Sequence, residues 1–150
     1  MTKLIYLCSF FILLTLLVCC KKETDNSGFV EDYDYLNSVI GTWELRQQSG
    51  SFTTTYAKGN GNVLKFNGPN YERYTNGALT KSGTFTLVPD TAVQQNVCLV
   101  LSNKEYKNRI VFDGKDEARK TFVRITKNKL DLVSGCFAND SGSGSVYEKQ

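Results

Sequence analysis

The spacing of apolar residues changes twice along the chain. Leu4 to Cys20 is an uncharged, nearly continuous apolar run, with Lys3 before it and Lys21-Lys22 after it. A basic flank followed by a run of this length predicts a secretory signal segment; an uncleaved anchor helix is the rival at the short limit of a ~20-residue span. Residues 21–28 are polar and aperiodic, as a flexible tether would be. In residues 31–40, Tyr35, Val39 and Ile40 follow an acidic start at helical spacing, which predicts a short amphipathic helix. From Gly41 the period becomes two. Alternation predicts strands over residues 42–46, 62–66, 71–75, 79–88, 96–101, 108–112, 120–126, 129–133 and 145–148. Turn chemistry separates them at Asn67-Gly68-Pro69-Asn70, Asn76-Gly77, Pro89-Asp90, Lys127-Asn128 and the Ser/Gly-rich stretch 139–144. Short strands at this spacing, with no long helical pattern between them, predict an all-β fold. The expected form is a single antiparallel up-and-down β-barrel of about eight strands, closed so that no edge is left open.

Composition narrows the chemistry. The 150 residues carry a formal charge of +3 with both signs scattered, so the basic footprint of a nucleic-acid binder is missing. There is no histidine. That removes the commonest general base and most zinc and iron sites. Glu44, Glu72, Asp113 and Asp131 fall singly on strands or at their ends and read as solvated outer-face charges. Asp113-Gly114-Lys115-Asp116-Glu117 lacks the spacing of a calcium loop, and Lys58-Gly59-Asn60-Gly61 lacks that of a phosphate loop. No catalytic residue, metal ligand or cofactor is assigned, and the chain is expected not to be an enzyme.

Leu17-Val18-Cys19-Cys20 at the end of the apolar run resembles the lipobox of bacterial lipoproteins. Read so, Cys20 is the lipidated residue; taking Cys19 instead would put branched Val18 at the position reserved for a small side chain. Gly41-Thr42-Trp43, opening the first strand, resembles the G-x-W of lipocalin-like barrels, and together the two motifs resemble the small lipocalin-like lipoproteins of Gram-negative bacteria. The resemblance implies three parts: a signal peptide over 1–19, a lipidated tether and short helix over 20–38, and a barrel over 39–150. It implies a monomer anchored in the cell envelope at the outer membrane, facing the periplasm or the surface, with the membrane as partner through its lipid. It implies structural roles for Gly41 and Trp43, with Arg124 the candidate to cover the indole. It also implies a cup for a small hydrophobic ligand, whose contact residues the motifs do not identify. The rival is an interaction protein (an inhibitor, immunity factor or envelope-assembly accessory) acting through its outer surface on an unidentified partner. The long-lipocalin Thr-Asp-Tyr loop and C-terminal helix are missing.

Two further sets of residues are candidates. Tyr56, Tyr71, Tyr74, Tyr106 and Tyr147 either rim a pocket or are ordinary strand residues. Phe66, Phe85, Leu87, Leu99, Leu101, Phe112, Phe122, Leu130 and Leu132 are expected to point inward, enough to fill much of an eight-stranded lumen. Cys98 and Cys136 are the cysteines beyond the lipobox pair and the signal segment, and export favours a disulfide between them. Strand parity opposes it: Cys98 would face outward beside Leu99 and Leu101, while Cys136 shares parity with Leu130 and Leu132. A bulge at Gly135 would reconcile the two, and a pair of buried free thiols is the alternative.

Overall fold

The computed structural model describes residues 35–115 and 118–150. The signal segment 1–19, Cys20 and most of the tether lie outside the described residues. Residues 35–39 are helical, within the short helix expected over 31–40.

Nine strands follow: β1 (Gly41–Ser49), β2 (Thr53–Thr55), β3 (Val63–Asn67), β4 (Asn70–Thr75), β5 (Ala78–Pro89), β6 (Asn108–Phe112), β7 (Thr121–Ile125), β8 (Lys129–Ser134) and β9 (Ser143–Lys149). All pairings are antiparallel, β3 to β9 pair in chain order, and β1 pairs with both β3 and β9. The sheet therefore closes into an up-and-down, lipocalin-like barrel of eight strands. The ninth, β2, folds back on the far half of β1, where Gln47–Ser49 have run past the end of β3. Closure leaves no long edge to template other chains.

Alternation places Trp43, Leu64, Phe66, Phe85, Ile110, Val123, Leu130 and Leu132 in one buried cluster inside the barrel. A shift in register between Leu45 and Gln47 changes the facing of β1, so that Gln48, opposite Ser145, turns inward. A second, smaller core lies apart from it. Val93 and Val97, four apart on the short helix Val93–Val97, pack with Tyr106 and Phe122, flanked by Leu101, Val133 and Phe137.

This second core corrects several expectations. Residues 96–101 are not a strand: Asn96 and Val97 end the helix, Cys98 caps it in the left-handed region, and an irregular segment follows. Leu99 is 40 % exposed and Leu101 joins the outer cluster. Phe122 points outward, because β7 is covered on both faces; its neighbour Val123 fills the lumen side. Glu44 and Asp131 are buried, not solvated: Glu44 bonds Arg46 at 2.7 Å and Asp131 bonds Arg124 at 2.5 Å. Burial alone would push the Glu44 carboxyl up. The Arg46 guanidinium and backbone amides of the overlying loop hold it below its ordinary 4.5.

Candidate functional site

The two ends of the barrel differ. At one end β1 begins, and Trp43 is fully buried, with its indole N–H donating to Val39 O at 2.7 Å. The helical turn 35–39 thus plugs this end. Gly41 makes the approach possible: its φ is +138°, and a Cβ there would come within 3.0 Å of Lys149 Cε. Lys149, not Arg124, covers the indole, with Nζ 5.1 Å from the ring centroid. Arg124 faces out of the barrel, where it bonds Asp131 and Glu105 and lies 5.3 Å over Tyr106. The tyrosine of the plug, Tyr35, donates to Val123 O, and burial pushes its pKa up to about 12.

At the other end the strands surround a cavity of about 760 Å³, within the size range of small-molecule sites. Its apolar lining comes from Leu45, Ile110, Phe112 and Leu132. Around these stand hydroxyls and amides, including Gln48, Thr121, Ser134, Ser143 and Ser145. Six cations line it as well, namely Arg73, Lys81, Arg109, Lys115, Arg119 and Lys120, and no carboxylate is among its described lining residues.

Strand register explains how two of these charges enter the lumen. Tyr71 and Arg73 share one face of β4, Lys81, Gly83 and Phe85 share one face of β5, and Arg73 lies directly opposite Lys81. Like charges so placed repel. Lys81 is compensated. Asp113, just past β6, accepts from Lys81 Nζ at 3.2 Å, from the Tyr71 hydroxyl at 3.1 Å and from the Thr84 amide at 3.3 Å. Lys81 foremost holds the Asp113 carboxyl below its ordinary value. Gly83 is what admits this carboxylate, since a Cβ there would overlap Asp113 Oδ1. Arg73 has no such partner. Its guanidinium lies 6.0 Å from the Phe112 ring centroid, and no carboxylate among the described residues pairs with it.

Three of the other cations are tethered to the walls. Arg119 donates to Ser141 O at 2.5 Å and Ser143 Oγ at 3.1 Å. Lys120 and Arg109 meet Asp90 at 2.8 and 3.4 Å, and although burial opposes it, these cations hold the Asp90 carboxyl low.

Of the five candidate tyrosines, Tyr56, Tyr74 and Tyr147 line the cavity; Tyr71 is core with its hydroxyl on Asp113, and Tyr106 belongs to the outer cluster. Burial raises the Tyr147 hydroxyl, and the charge of Arg73 opposes the shift. Cys98 and Cys136 are joined in a disulfide with α-carbons 4.9 Å apart. The parity objection does not apply, because Cys98 is a helix cap rather than a strand residue, and β8 reaches Ser134 with no register shift. The bridge ties the segment bearing the outer core to the turn after β8. Among the described residues no group of acidic and cysteine side chains is arranged to hold a metal. Comparison with protein families, with curated proteins and with solved structures finds no match to this chain.

Proposed function

We propose that the chain is a lipid-anchored envelope protein whose barrel binds one small molecule in the cup opposite Trp43. The observation that carries the binding reading is the cavity itself: one end of the lumen is packed shut around Trp43, while the other holds about 760 Å³ open to convergent polar groups. Its mixed lining suits an amphipathic molecule better than a purely hydrophobic one. The anchor rests on Leu17-Val18-Cys19-Cys20 and the uncharged run before it. Labelled fatty acid should attach to the wild-type chain in its host and fail to attach to Cys20→Ala; labelling lost only in Cys19→Ala would move the site by one residue.

Saturable one-to-one enhancement of 1-anilinonaphthalene-8-sulfonate fluorescence tests the cup. Ser145→Trp, which puts an indole into the lumen, should weaken that binding several-fold. Enhancement whose affinity is unchanged in Ser145→Trp would locate binding on the outer surface instead. That second reading has one observation in its favour. Val100, 96 % exposed, stands beside Leu99 on the disulfide-tied segment, and Phe52, 87 % exposed, on the β1–β2 connection. Apolar side chains scattered singly are ordinary on soluble surfaces, so the cup remains the stronger reading.

A further inference from the structure

We propose that the cup selects an amphipathic anion, whose charged head is received by Arg73 while its apolar body lies on Leu45, Ile110, Phe112 and Leu132. The inference rests on the reading of the cup as the binding site and adds the class of ligand and the residue that recognises it.

Three observations converge. The described lining carries six cations and no carboxylate; Asp113 offsets Lys81 and Asp90 meets Arg109 and Lys120 at the wall, so Arg73, Lys115 and Arg119 leave the positive excess that favours an anion. Arg73 and Lys81 face each other across β4 and β5, and only Lys81 has a counter-charge, from Asp113. An inward arginine opposite a lysine is unfavourable in the unliganded barrel. A bound anion would relieve that repulsion, as Asp113 does for its half. Finally, Arg73 stands where the apolar lining ends, over the Phe112 ring. A guanidinium is weakly hydrated, stacks on aromatic faces and receives a carboxylate through two parallel hydrogen bonds, so it suits a head group whose tail continues into an apolar pocket. Serine hydroxyls at 134, 143 and 145 also line the cavity and offer further donors.

Isothermal titration of the full chain in nanodiscs of zwitterionic lipid, with empty discs subtracted, tests this using decanoate, decan-1-ol and inorganic phosphate. Decanoate should bind about ten-fold tighter than decan-1-ol, the effect of one charge-assisted hydrogen bond. Arg73→Met should remove most of that preference and leave decan-1-ol unchanged, and Arg73→Lys should restore part of it. Arg73 is exposed at the mouth, so neither variant disturbs the core. Lys65→Met, on the outer face beside Glu72, should change neither ligand and so controls for net charge. Equal affinity for decanoate and decan-1-ol would overturn the anion preference while leaving the cup as a binding site. A preference that survives Arg73→Met would overturn the role of Arg73. Phosphate binding as tightly as decanoate would show the apolar lining idle and overturn the amphipathic class. If neither ten-carbon ligand saturates, the binding reading itself fails, and this inference with it.

Discussion

Reducing the Cys98–Cys136 bridge separates two parts of the fold that otherwise melt together. The bridge closes a loop of 38 residues in sequence, for which the chain-entropy relation gives a stabilisation of about 4 kcal/mol. The compact unit Glu31–Gln150 has an unfolding entropy of about 0.25 kcal/mol/K on the usual per-residue scale, so full loss of the bridge lowers the melting temperature by about 16 °C. The effect is not uniform in space. The bridge holds the helix Val93–Val97 over Phe122, whereas the barrel closes through the β1–β9 ladder without it. Hydrogen exchange after reduction should therefore speed first at Asn96 and Cys98, whose amides bond Ala92 O and Gln94 O, and last in β8 and β9. Calorimetry with and without reductant gives the magnitude, and exchange mass spectrometry gives the place. Alkylation under denaturing, non-reducing conditions, mapped by peptide to Cys98 and Cys136, tests the premise. Two free thiols there, or a melting shift below about 3 °C, would refute the reasoning.

Three further outcomes follow from the packing. Trp43→Phe loses the buried hydrogen bond to Val39 O and leaves a cavity beneath the plug, which should cost roughly 2–4 kcal/mol in urea denaturation; a loss under about 1 kcal/mol would mean that the plug does not depend on the indole. Gly83→Ala should lower the melting temperature by evicting Asp113 and cost distinctly less when Asp113→Ala is already present, the remaining close approach being to Tyr71 Cε1 at 3.1 Å, so additive effects in the double variant would contradict the contact. Glu44 and Asp90 titrate low in the folded chain, from ordinary values of 4.5 and 3.8. Their stabilisation is present above those values and lost as pH falls through the folded ones, so the melting temperature should drop below about pH 4.5, less steeply in Glu44→Gln.

Strand order and barrel closure were legible because each ladder residue alternates between a buried and an open face, and turn chemistry marked most ends. The alternation fails where both faces are covered. Phe122 and Val123 are adjacent and both fully buried, so no period could tell which one faced the lumen. Residues 96–101 form a short apolar run that reads equally as strand or helix; the signal that favours helix is Val93 and Val97, four apart and both buried. β2 escaped notice because Thr53–Thr55 are all exposed and show no alternation. The charged lining of the cup was missed for the opposite reason. Arg73 and Lys81 are charged residues on an inward face, and a rule that sends charge outward discards them. Their parity with Tyr71 and Phe85 carried the signal, since those two residues are core. Glu44 and Arg124 depended on contacts from elsewhere in the chain, the loop carrying Gly59 and Gly61 in one case and Tyr106 in the other, which local pattern does not reveal.

The central claim is that the open half of the barrel exists to hold a small molecule. Native mass spectrometry of the full chain purified from its own host addresses it most directly, because a cup that binds tightly carries its occupant through purification. The account predicts a single small-molecule adduct at one per chain, anionic when released and identified, and reduced in Ser145→Trp. A wild-type spectrum at the bare mass of the chain, or an adduct of undiminished occupancy in Ser145→Trp, would contradict it.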